Sequence, residues 1–110
     1  MAFLALASQK SLLTLQKNFL QFQLVSIQNQ ISNAQNMMTA REREFAGREN
    51  ADCTQDADYI FYKDLDDQLQ TEKDSVESQI TAIENEISGL KTLVNNNIKS
   101  SCTLNLASGG

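Results

Sequence analysis

Arg41-Glu42-Arg43-Glu44-Phe45-Ala46-Gly47-Arg48-Glu49-Asn50-Ala51-Asp52-Cys53-Thr54-Gln55-Asp56-Ala57-Asp58 is the stretch whose reading decides the fold. It lies between two long runs of helical spacing. Arg41, Arg43 and Arg48 fall where a cation favours the negative end of a helix dipole. Gly47 is a natural left-handed residue for the position just past a helix end. Asp52 or Thr54 can cap a following helix, and Asp56 and Asp58 belong in its first turn. A continuous rod is the other way to read the stretch, but the glycine and the capping residues favour a turn. The loop is expected at about 47–54.

Outward toward the N-terminus, a first helix is expected over about 3–45. Phe3, Leu6, Leu13, Leu20, Leu24, Ile27, Ile31, Ala34, Met38 and Phe45 recur at spacings of three and four, a coiled-coil-like signal. A second apolar row, Leu4, Leu12, Leu15, Phe19, Phe22 and Val25, falls at positions that a simple hairpin turns to solvent. A surface helix needs only one apolar face. Beyond Val25 this outer face becomes Gln28, Asn29, Ser32, Asn33 and Asn36, amides able to hydrogen-bond across subunits without the desolvation penalty of charges. The expected assembly interface is therefore Phe3, Leu4, Leu12, Leu15, Phe19, Phe22 and Val25.

Outward in the other direction, a second helix is expected over about 55–99, with Tyr59, Tyr62, Leu69, Val76, Ile80, Ile83, Ile87, Leu90 and Val94 as its inner row. The hairpin seam then joins Leu13, Leu20, Leu24, Ile27 and Ile31 to Leu69, Val76, Ile80, Ile83, Ile87, Leu90 and Val94. A short loop makes the helices antiparallel neighbours, with Lys17 approaching Glu84 and Glu86. The fold class is all-α: a long antiparallel two-helix hairpin over 1–99, coiled-coil-like. Residues 100–110 are small and polar apart from Leu104 and Leu106. They read as a tail that is flexible unless it docks on a partner.

Composition agrees. The 110 residues contain no proline, where an average chain would have about five, and they suffice for one domain at most. Two helices bury one seam, and small chains bury a low fraction of their surface. Residues 1–40 carry Lys10 and Lys17 and no acid, whereas 41–110 carry all 14 acids against Arg41, Arg43, Arg48, Lys63, Lys73, Lys91 and Lys99. An acidic balance without a basic patch disfavours nucleic acid.

Chemistry is sparse. Without histidine or tryptophan, zinc sites and histidine-based triads have no basis. Glu49, Asp52, Asp56, Asp58, Asp64, Asp66 and Asp67 lack the spacing of a calcium loop and read as capping and solvation. No catalytic, cofactor-binding or metal-binding residue is expected, and the chain does not read as an enzyme. Cys53 and Cys102 fall at opposite ends of a rod of roughly 65 Å, too far for an intrachain bridge. They read as free thiols or as an intersubunit disulfide.

Polar residues from Gln16 to Gln23 interrupt the apolar run, so no transmembrane span is expected. Met1 to Ala7 lacks the basic start and the length of a signal peptide. An extracellular or cell-surface location reached by a signal-less route is expected, with a cytoplasmic one as the alternative.

Leu69-Gln70-Thr71-Glu72, Asp74-Ser75-Val76 and Asn97-Ile98-Lys99-Ser100, behind a helix rich in Leu and Gln, resemble short uncharacterised bacterial helical-hairpin proteins. That resemblance implies no activity. The architecture is similar to the needle and filament subunits of type III secretion systems, although the prolines of their turn are absent. Phe45-Ala46-Gly47 resembles the Trp-x-Gly turn of hairpins secreted by type VII systems. Phe stands for Trp, and the Tyr62 to Asp66 spacing lies at the wrong end of the second helix for their C-terminal signal. These features lead to the expectation of a structural subunit that self-assembles into a helical filament or tube. The alternative is a small secreted or chaperone-like hairpin that binds a different helical protein as a closed hetero-complex.

Overall fold

A computed structural model describes residues 2–49 and 51–109, with side chains described for 4–49, 51–96, 98 and 99. The chain is an all-α two-helix hairpin. Helix α1 spans Ala2–Phe45, a short 3-10 helix spans Cys53–Gln55, and helix α2 spans Ala57–Gly109. No glycine or proline interrupts residues 2–45. The hydroxyls of Thr14 and Thr39 donate back to the carbonyls of Lys10 and Gln35 at 2.9 and 3.0 Å, so these residues stay within the helix.

The turn forms because successive backbone groups find partners outside a helix. Ala46 N–H donates to the Glu42 carbonyl at 3.0 Å, and Gly47 then takes φ 82°. That left-handed conformation reverses the chain without the Cβ clash other residues meet. Asp52 caps the 3-10 helix, accepting from the Thr54 N–H at 3.0 Å and its hydroxyl at 2.7 Å. Asp56 caps α2: its carboxylate accepts from Tyr59 N–H at 2.9 Å, and its carbonyl accepts from Ile60 N–H at 3.0 Å. This corrects the expectation that Asp52 or Thr54 caps the second helix and places Asp56 outside the first turn, with Asp58 inside it.

The chain divides into two packed units. The unit Phe22–Glu77 holds the turn and both flanking helical arms, and it is the drier of the two. Ile27, Ile31, Ala34, Leu69 and Val76 are buried there. Its arms run antiparallel: Arg41 binds Asp56, Gln35 Nε2 donates to Asp66 at 3.4 Å, and Ile27 shares a groove with Val76. Ala34 is only 1% exposed and Leu69 4%; small and large side chains together fill a close helix–helix seam.

The other unit pairs Met1–Gln21 with Ser78–Gly110. Leu20 and Ile83 share one groove, and Ala7 and Lys10 share another with Val94, so this pair is antiparallel too. Only Ile80 is buried here among the described residues; Leu6, Leu13, Leu20, Ile83, Ile87, Leu90 and Val94 are half-buried. No ion pair joins Lys17 to Glu84 or Glu86 among the described residues. Apolar packing therefore sets the register here. Helix α2 continues past the expected end at about Lys99 to Gly109. Small polar residues lower helix propensity by a few tenths of a kcal/mol each, and none of them stops a helix as proline would.

Candidate functional site

Exposed apolar surface is the main feature of the described residues. On α1, Leu4, Leu12, Leu15 and Phe19 are exposed in the unit that contains the N-terminal arm, and Phe22 and Val25 in the turn-containing unit. Phe22 is 77% exposed and Leu15 67%. A helix with a single core would place polar side chains there. The side chain of Phe3, the remaining residue of the expected interface, lies outside the described ones, as does that of Cys102.

The inner row has the opposite fate. Ile27, Ile31, Leu69, Val76 and Ile80 are buried, while Leu13, Leu20, Leu24, Ile83, Ile87, Leu90 and Val94 are half-buried. Spacing alone separates the two sets, because residues three and four apart share a helix face.

Three of the open grooves touch the outer row. One lies between α1 and α2 and is lined by Leu15, Phe19, Leu20 and Ile83, with Gln16 and Gln79 at its edge. A second adjoins it at Leu15 and includes Lys10, Thr14 and Val94. No carboxylate lines either one. The third lies on α1 itself, where Phe22 and Val25 give way to Ser26, Asn29, Gln30 and Asn33. Gln30 Nε2 donates to Ser26 Oγ at 3.3 Å along this part of the helix.

Helix α2 carries exposed apolar residues that its inner row does not account for: Ile60 and Phe61 near its start, Leu93 and Ile98 further on. Phe61 meets Tyr62 edge to face, with centroids 5.2 Å apart and planes at 82°. Tyr62 takes the half-buried position and leaves Phe61 outside. The signal was present in the sequence, since adjacent aromatics on a helix point about 100° apart and one seam can hold only one of them.

Most of the acidic side chains serve the turn or decorate the surface. The Arg41 guanidinium, and next the Tyr59 N–H, hold the Asp56 carboxyl below its ordinary value. The Thr54 hydroxyl and N–H do the same for Asp52. Lys63–Asp67 and Lys73–Glu77 are within-helix pairs at 3.5 and 3.9 Å, each worth a few tenths of a kcal/mol at about this exposure. Among the described residues, no three carboxylate or thiol side chains converge as a metal site would require. Cys53 is a free, half-buried thiol in the 3-10 helix. No described helix is long and apolar enough to cross a membrane. Comparison of the chain with protein-family profiles, with characterised proteins and with solved structures gives no match in any of the three.

Proposed function

We propose that this chain is a structural subunit that self-assembles through its apolar N-terminal helix into a helical filament or tube. The observation that carries the reading is the exposed row Leu4, Leu12, Leu15, Phe19, Phe22 and Val25 on a helix whose first 40 residues contain no acid. Monomeric proteins rarely leave large apolar patches bare. Magnitudes favour use of the whole row. Each large apolar side chain contributes roughly 1.5–3 kcal/mol when fully buried, and association costs roughly 4–15 kcal/mol. Two or three such contacts give about 3–9 kcal/mol and six about 9–18 kcal/mol, so the whole row offsets that cost better than part of it.

An extracellular or cell-surface site in a bacterium belongs to this proposal, as the resemblance of the sequence pattern to exported helical subunits implies. Negative-stain microscopy of the purified chain tests the assembly, with Phe19→Asp and Phe22→Asp as controls. Periodic fibres are expected from the parent chain and none from either variant, with helical circular dichroism retained. Fibres that persist in both variants would overturn the assignment of the outer row. A chain that never becomes periodic, but forms a finite particle with a second protein, selects the hetero-complex instead.

A further inference from the structure

We infer that the groove of Leu15, Phe19, Leu20 and Ile83 receives Phe61 of a second copy, so that each chain offers a socket on one unit and a knob on the other. This inference rests on the self-assembly proposed above and names the two surfaces that meet. The groove is apolar along its floor, edged by the amides of Gln16 and Gln79, and it adjoins a groove that contains Lys10. Phe61 stands 61% exposed beside exposed Ile60, its ring held edge-on by Tyr62. Asp58 and Asp64 lie three residues to either side of Phe61, hence on its own helix face. Asp64 has no ion pair among the described residues.

Charge selects the occupant. Pairing α1 with α1 of another copy would bring Lys10 and Lys17 toward their own kind, with no carboxylate in residues 1–40 to offset them. Pairing the groove with the start of α2 brings Asp58 and Asp64 toward Lys10 of the adjoining groove instead. An aromatic anchor entering a helix–helix groove is a common recognition mode. A knob and a socket built from different residues also make a head-to-tail contact, which leaves one of each unused after every addition. Such a contact propagates into an open assembly, where a self-complementary contact would close as a dimer.

The test is complementation between two blocked full-length chains. Phe19→Asp spoils the socket and keeps the knob; Phe61→Asp spoils the knob and keeps the socket. Both residues are exposed, and circular dichroism checks that each variant stays helical. Should Phe61→Asp lose helix, Phe61→Gln takes its place. By sedimentation velocity, each variant alone is expected at the mass of one chain, and their equimolar mixture at the mass of two. Fibres from Phe61→Asp alone would overturn this pairing while leaving filament formation intact. So would a mixture that stays at the mass of one chain. Fibres from Phe19→Asp alone would likewise overturn the socket, and a parent chain that forms no fibres would remove the self-assembly reading and this inference with it.

Discussion

Arg41 grips Asp56 through two hydrogen bonds of 2.9 Å, from Nε to Oδ2 and from a terminal guanidinium nitrogen to Oδ1. The last turn of α1 is thereby tied to the cap of α2, because Asp56 Oδ2 also accepts the Tyr59 N–H. Arg41 reaches Glu44 as well, and its guanidinium lies 5.5 Å from the Phe45 ring centroid, with Arg48 at 5.1 Å from the same ring. A planar fork over an aromatic ring suits arginine specifically. One side chain thus fixes where the chain turns and where the second helix starts.

Arg41→Lys should lower the melting temperature by several degrees, since an ammonium cannot make both bonds at once. Glu44→Gln should cost far less, because Glu44 is an exposed partner within the same helix. Thermal unfolding followed by circular dichroism compares the two. Equal melting points for Arg41→Lys and the parent chain would mean that the fork does not hold the turn.

Acid should weaken the same joint. The folded-state value of Asp56 is depressed, first by the hydrogen bond from Arg41 and then by the Tyr59 N–H. A depressed carboxyl stabilises the fold above its unfolded value of about 3.9. That contribution is lost as pH falls from there through the lower folded value. The melting temperature should drop over this interval, and the drop should shrink in Asp56→Asn, which starts lower at neutral pH. Parallel curves for the two chains would assign the acid response to other carboxylates.

The sequence carried the two helices, the turn at Gly47 and the split between inner and outer rows, because each follows from local spacing or backbone geometry. The cap of α2 was harder to read. Asp52, Thr54, Asp56 and Asp58 are all able to cap, and the choice falls to Arg41, a partner from the other helix. Lys17 shows the converse. Its expected approach to Glu84 and Glu86 was a register argument, but no ion pair forms there among the described residues, where apolar packing already sets the register. Phe61 is exposed on an otherwise acidic helix because the neighbouring Tyr62 claims the inner position. Nothing in the residue types points to a reaction, so the candidate surface was legible only as apolar side chains without an inner partner.

Core substitutions should separate the two units. Leu69 is nearly fully buried in the turn-containing unit, so Leu69→Ala should cost about 2–5 kcal/mol. Leu13 is half-buried in the other unit, and Leu13→Ala should cost well under half as much. Urea denaturation measures both, at a concentration where the chain sediments as a single species. A Leu13 cost equal to that of Leu69 would show that the N-terminal arm packs more tightly in solution than its exposure implies.

The two inner glycines should respond to alanine with opposite signs. Gly47 sits at φ 82° with nothing within 4 Å of an added Cβ, so Gly47→Ala meets no neighbour and costs only the left-handed backbone strain, about 1–2 kcal/mol. Gly89 lies inside α2, and an added Cβ there also meets nothing within 4 Å. Gly89→Ala therefore only removes backbone freedom from the unfolded chain, a gain of about 1 kcal/mol. For a domain of this size, about 1 kcal/mol shifts the melting temperature by roughly 4–8 °C. Thermal melts of the two variants should move apart by more than either moves from the parent chain. A lowered melting point for Gly89→Ala would mean that this part of α2 is covered in solution by something that leaves no room for a methyl group, which is what an assembly contact there would do.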